Sequence, residues 1–244
     1  MRVTNQISRV RIAADEPADV EKYKKSLALL HELAPNFRCK CAINHAEFIE
    51  QFHDRIDDFT PYIRCTVTEY ERLMQYRKDY PDKTFLWYIC CFGASPNNFL
   101  RTHLLENRMT GILTSVLRLD GFARWSYCVW TDDPRKDIRY SYYEAGDTNF
   151  VYPGRNGKVL LSLRYKNLRR GITDFEMLEQ IRATKGDDVV NALLQKVMRT
   201  NDIKDFWAPD SETQELKASE ELFSLNFADY NEMKAEMLRL LESK

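Results

Sequence analysis

Two adjacent carboxylates, Asp15 and Glu16, stand before Pro17. A short β-branched run, Val10-Arg11-Ile12, precedes them, and a long amphipathic helix pattern follows. Carboxyl groups are among the side chains that give and take protons in catalysis. A strand that ends in such groups and hands over to a helix is how α/β barrels present catalytic acids. The same tripeptide is also a good helix start. Asp caps, Pro fits the first turn, and acids suit the positive end of a helix. On these residues alone both readings stay open.

The elements that would position the pair follow in order. Residues 8–14 read as a strand and 18–34 as a helix, with Val20, Tyr23, Leu27 and Leu30 recurring at helical steps. Residues 37–43 alternate as a second strand, with Asn44 at its end, and 46–55 form a short helix. A third strand is expected over 62–67 and a helix over 69–80. Residues 84–91 are a continuous apolar run, the pattern of a strand buried on both faces. A helix over 99–117 and, over 121–130, a fifth strand running into a loop come next. Residues 131–157 are polar and turn-rich, 160–184 read as a short strand or extended entry followed by a helix, and 187–244 are helical by pattern.

Strands alternating with helices imply a parallel sheet, whose ligand crevice lies at the carboxyl ends of its strands. Asp15, Glu16, Asn44, Cys91, Trp125, Tyr127 and Trp130 all fall at or near such ends.

The bulk numbers narrow the function. The net charge of −1 offers no electrostatic footprint for nucleic acid or an anionic membrane. No apolar run approaches the ~20 residues of a membrane span. The first residues lack the apolar core of a signal peptide, so the chain as written reads as cytoplasmic. Aromatics make up 12%, which suits a wide binding cleft and a large core equally. The six cysteines show no Cys-x-x-Cys spacing and read as free thiols in strands, with no metal site expected.

From residue 84 a series of motifs accumulates. Thr84-Phe-Leu-Trp-Tyr-Ile-Cys-Cys91, Pro96-Asn-Asn-Phe99, Asp120-Gly-Phe-Ala-Arg-Trp-Ser-Tyr127 and Trp130 come first. Asp133-Pro134, Ala145-Gly-Asp147, Val151-Tyr-Pro-Gly154, Leu168-Arg-Arg-Gly-Ile172 and Asp174-Phe-Glu176 follow. In this order they resemble the catalytic domain of glycoside hydrolase family 123, over about residues 8–184. The resemblance implies a (β/α)8 barrel and removal of N-acetyl-β-galactosamine from glycan ends without a cofactor. It also implies a retaining, substrate-assisted mechanism, in which the acetamido oxygen attacks the anomeric carbon and gives an oxazoline. The family's Asp-Glu pair falls on Asp15 and Glu16. Asp15 would orient the acetamido group. Glu16 would protonate the leaving oxygen and later take a proton from water. Trp125 and Trp130 would floor the sugar, Tyr127 would bond the acetamido oxygen, and Arg124, Asn44 and Asp147 would hold hydroxyls. Arg164 and Asp174 are expected to tie the final helix to the barrel.

The expected fold is therefore α/β: a partial (β/α)8, TIM-type barrel of about five parallel strands with helices, plus a C-terminal helical tail. Residues 1–184 form the barrel part and 185–244 pack on it. Five strands are fewer than a full barrel's eight, and the pair matches the end of the family's fourth strand. The chain is thus expected to lack three β/α units and to be poorly active or inactive alone. A remnant of this kind exposes sheet edges, which points to a second chain completing the barrel or to self-association. A glycan is the expected substrate partner. The alternative from another class is a non-catalytic carbohydrate-binding or structural remnant of such an enzyme.

Overall fold

The computed structural model describes residues 11–90, 94–207 and 216–242, with side chains described from residue 14. The expected strand start at 8–10 and Cys91 lie outside the described residues. Two compact units divide the chain, 1–88 and 89–244.

In the first unit four strands pair in parallel in sequence order: β1 (Arg11–Asp15), β2 (Arg38–Ile43), β3 (Asp58–Pro61) and β4 (Thr84–Tyr88). Four helices connect them: α1 (Val20–Leu33), α2 (Phe48–Phe52), α3 (Ile63–Thr68) and α4 (Tyr70–Asp79). The period-two pattern of β2 buries Cys39, Cys41 and Ile43 on one face. Leu27 of α1 and Ile49 and Phe52 of α2 are buried as well. The Tyr23 ring lies 5.3 Å from that of Phe52, whose other neighbour, Phe48, stacks at 4.3 Å. Arg38, on the opposite face of β2, pairs with buried Asp58 at 2.8 Å.

The third strand is not at 62–67. It is Asp58–Pro61, and Ile63–Thr68 is helical. Two acids at 57 and 58 disguise the strand as a turn. Their charge is absorbed by neighbours: the Asp57 carboxylate accepts from the Cys39 N–H at 2.9 Å, and Asp58 meets Arg38. The β-branched run after them is helical because Ile63, Cys65, Thr66 and Val67 are all buried, which overrides local preference. The Thr66 hydroxyl donates to the Tyr62 carbonyl one turn back, at 3.0 Å.

The second unit continues the strand–helix alternation with α5 (Leu104–Val116) and β5 (Gly121–Ala123). The expected fifth strand stops after three residues. Beyond it, residues 126–130 lie against 147–150 as loop on loop. Ser126 Oγ donates to the Thr148 carbonyl at 2.6 Å, and the Phe150 N–H donates to the Tyr127 carbonyl at 2.9 Å. A hairpin unseen in the sequence follows, β6 (Val151–Pro153) antiparallel to β7 (Val159–Leu161). Its turn is closed by the Gly154 N–H on the Lys158 carbonyl at 2.8 Å. The tail is less continuous than its pattern suggests. After α6 (Leu163–Lys185), its described residues form α7 (Asp187–Leu194), a short 3-10 turn, α8 (Ser219–Leu222) and α9 (Phe227–Glu242).

Helix α6 is the brace of this unit. It crosses α5 at two glycines: a Cβ on Gly171 would lie 2.2 Å from the Arg108 carbonyl oxygen, and one on Gly111 would lie 2.2 Å from the Gly171 backbone. Only glycine permits that approach. Beside the crossing, Arg108 and Asp174 form a buried ion pair at 2.6 Å, and the guanidinium stands 5.1 Å from the ring centre of Tyr230 on α9. Burial pushes the Asp174 carboxyl above its ordinary range. At the start of α6, buried Arg164 donates to the carbonyls of Asn98, Gly146 and Asn149 at 2.6–2.7 Å. Arg164 and Asp174 therefore tie α6 to α5 and to the 146–149 turn, as their sequence positions suggest.

The chain is α/β, parallel strands alternating with helices in the manner of part of a (β/α) barrel. Among the described residues no helix is long and apolar enough to cross a membrane, and the described cysteines are free thiols.

Candidate active site

The helix-capping reading of Asp15 fails. The cap of α1 is Asp19, whose carboxylate accepts from the Lys22 N–H at 2.9 Å. Asp15 ends β1 opposite Ala42, and both it and Glu16 are exposed. Adjacent strand residues point to opposite faces, so a regular strand would send the two carboxylates apart. The backbone breaks that rule at Glu16, which takes a left-handed φ of 42° while its N–H still bonds the Ala42 carbonyl at 3.1 Å. A non-glycine residue there, directly before a proline, carries strain of about 1–3 kcal/mol.

Two side chains from neighbouring strand ends hold the Glu16 carboxyl. Asn44, just past β2, donates from Nδ2 to Oε2 at 2.6 Å. Tyr88, the last residue of β4, donates its hydroxyl to Oε1. Tyr88 is buried, and its ring centre lies 5.1 Å from that of Tyr62. Glu16 and Asn44 also line a cavity of about 330 Å³ with Pro17, Phe48, Gln51 and Arg64. The carboxyl of Glu16 is thus oriented at the carboxyl ends of a parallel sheet, where such folds place their ligands.

The second unit gathers three more of the expected residues. Arg124 and Asp147 form a buried ion pair, and Arg124 also donates to the Ile89 carbonyl at 2.6 Å. The second Asp147 oxygen accepts from the indole N–H of Trp125 at 3.3 Å. Arg124 and Asp147 are therefore turned inward and bonded to one another. What they present outward is Trp125, which is 46% exposed. The Tyr143 ring lies 4.7 Å from Trp125 and covers part of it, with Tyr142 stacked behind at 4.4 Å. Indoles of this kind offer an apolar face with a polar edge fixed by a hydrogen bond.

Tyr127 and Trp130 stand apart from that network. Tyr127 is half-exposed at a second cavity of about 340 Å³, with Phe150, Leu168 and Phe175. Burial pushes its hydroxyl up from the ordinary phenol range. Trp130 donates its indole N–H to the Val151 carbonyl at 2.7 Å, which fastens it to the base of the hairpin.

Sequence reasoning left two site residues unassigned. Tyr88 is placed by the alternation of β4, but only the structure shows that its hydroxyl reaches Glu16. Tyr143 sits in a polar stretch without periodicity, and nothing local marks it as the support of Trp125.

Comparison with known proteins supplies the family. A family model described as "Glycoside hydrolase 123, catalytic domain" matches residues 2–181. Among solved structures, a family 123 glycoside hydrolase from Clostridium perfringens, analysed for glycolipid glycan hydrolysis, superposes with a TM-score of 0.64. Its sequence identity is 19%, and the match covers 94% of this chain and 39% of that one. At that identity the likeness speaks for the fold. Active domain 2 of a thermostable chitinase from Pyrococcus furiosus matches at a TM-score of 0.40 and 13% identity, over 68% of this chain and 60% of that one. No curated protein matches the chain. With the family model spanning most of its length, the chain belongs to glycoside hydrolase family 123, to the catalytic domain.

Proposed function

We propose that this domain serves retaining, substrate-assisted hydrolysis of terminal N-acetyl-β-hexosaminides, N-acetyl-β-galactosaminides first among them. The observation that carries the reading is the Glu16 turn: an exposed Asp-Glu pair at a strand end, with the backbone bent between its members and the glutamate oxygens held by Asn44 and Tyr88. In this reading Asp15 accepts the acetamide N–H and orients the group. The acetamide oxygen then bonds the anomeric carbon as the glycosidic bond breaks. Glu16 gives its proton to the leaving oxygen. Water next bonds the anomeric carbon, passes its proton to Glu16 and opens the oxazoline. The solved relative's glycolipid glycan substrates fit the same chemistry.

The test is release of nitrophenol from nitrophenyl N-acetyl-β-galactosaminide and its glucosamine epimer, with and without a thiazoline mimic of the oxazoline. The reading requires release that the thiazoline blocks and that Asp15→Asn abolishes. Absence of release from both substrates, with the sugar still bound, would leave a carbohydrate-binding domain in its place.

A further inference from the structure

Within unit one, the most completely built polar contact at the strand ends is the pair of bonds on Glu16. A glutamate on the surface is free to sample many rotamers, and ordering it has an entropic cost. Here Asn44 and Tyr88 arrive from two different strand ends and take one oxygen each. They differ in chemistry and in rigidity. Asn44 is half-buried, while Tyr88 is buried and packed against Tyr62. A phenol is also the better proton donor of the two, and its hydroxyl can rotate to suit its partner.

We propose that Tyr88 is a positioning residue for Glu16: it holds Oε1 in both protonation states and so assigns the transferable proton to Oε2. In the carboxylate the Tyr88 hydroxyl donates to Oε1. In the carboxylic acid the carbonyl oxygen is the better acceptor, so the same bond persists if Oε1 is that carbonyl. The proton then resides on Oε2, on the lone pair that Asn44 leaves unoccupied. When Oε2 gives the proton to the departing glycosidic oxygen, the electron pair stays on the carboxylate and Tyr88 need not move. Water returns a proton to Oε2 in the second step. The inference rests on the acid–base reading of Glu16, yet the hydrogen bond behind it is measurable without turnover.

The test has two arms on the full chain. The first is infrared spectroscopy with isotope-labelled glutamate. Subtracting Glu16→Gln from the unsubstituted protein isolates the Glu16 band, and the subtraction is repeated in a Tyr88→Phe background. The expected result is a displaced band, and an unmoved band overturns the proposal whether or not the chain turns over substrate. The second arm compares an alkyl glycoside, which needs the proton, with a dinitrophenyl glycoside, which does not. Tyr88→Phe should lose about tenfold in kcat on the first and under about threefold on the second, with KM unchanged. Equal losses on both would mark a merely structural role and overturn it. If even the unsubstituted chain releases neither product, the hydrolase reading fails separately, and the band still decides the role of Tyr88.

Discussion

Asp147→Asn isolates the machinery that presents Trp125. The substitution keeps the shape and removes one charge. The buried Arg124 loses the Asp147 charge, while its bonds to the Ile89 and Asp147 backbone carbonyls remain. Breaking a buried ion pair from one side typically costs about 3–5 kcal/mol. An asparagine oxygen can still accept one hydrogen bond from the guanidinium, which recovers part of that loss, so about 3 kcal/mol is expected. Arg124 and Trp125 bond different oxygens of Asp147, and the amide keeps an acceptor at only one of those two positions. If the oxygen stays with the arginine, an amide N–H faces the indole N–H. Trp125 should therefore be released as well. In a protein of this size the loss lowers Tm by roughly 6–12 °C. The assay is urea and thermal unfolding followed by near-ultraviolet circular dichroism, which reports the packing of the indoles. A cycle with Arg124→Leu should give a coupling of about 2–3 kcal/mol. A coupling under about 0.5 kcal/mol, or an unchanged aromatic spectrum in Asp147→Asn, would refute the view that this pair carries Trp125.

Gly171→Ala should destabilise the protein by about 2–3 kcal/mol, because a Cβ 2.2 Å from a backbone oxygen cannot be relieved by a rotamer change and outweighs the gain in helix propensity; equal or greater stability in urea would contradict the crossing. Asp187 is pulled down to about 2 by hydrogen bonds from Arg118 and Arg182. Its contribution is present above the ordinary carboxyl value of 3.8 and fades as the pH falls from there toward 2, so Asp187→Asn should flatten that part of the stability profile. An identical slope in the variant would count against it. Glu16→Gly should remove hydrolysis and lower stability by about 1 kcal/mol, because relief of the left-handed φ of 42° is outweighed by loss of the Asn44 and Tyr88 bonds, which leaves the buried Tyr88 hydroxyl without its acceptor; a more stable variant would show that the strain outweighs the two bonds. Glu16→Gln should fail most on substrates with poor leaving groups, whereas Asp15→Asn should fail on all of them, because ring closure precedes every departure. A pattern independent of the leaving group in Glu16→Gln would argue against the acid role.

The parts of the fold legible in the sequence are those whose local pattern and burial agree. The alternation of β2 survives, whereas the apolar run expected over 84–91 is a strand only over Thr84–Tyr88 and alternates in burial, and α1 fully buries only Leu27 of its stripe. Asp58–Pro61 was illegible for the opposite reason: its charge is neutralised by Arg38, a partner twenty residues back in sequence. The fifth strand, expected to run from 121 into a loop by 130, is present but cut short at Ala123 by pairing chemistry. Its alternation is real, but after Ala123 the backbone groups are answered by the 147–150 turn and not by a sheet neighbour. The β6–β7 hairpin went unseen because three-residue strands around a glycine-rich turn carry too few positions for a period to register.

The site shows a different relation between sequence and structure. Asp15 and Glu16 are visible as residue types, yet the feature that makes them usable together is a backbone state that no local preference favours. A glutamate before proline does not choose a left-handed φ; strand pairing to Ala42 on one side and the start of α1 on the other impose it. Glycine would fit that state at less strain and asparagine at nearly so, but neither carries a carboxyl group. Retaining glutamate at a position whose geometry asks for something else is the mark of a side chain held for its chemistry. Asn44 and Tyr88 strengthen that argument, because each directs a donor onto the strained residue from a separate strand end. The strain, the two bonds and the exposure of the pair are the observations on which the proposed acid–base role of Glu16 rests.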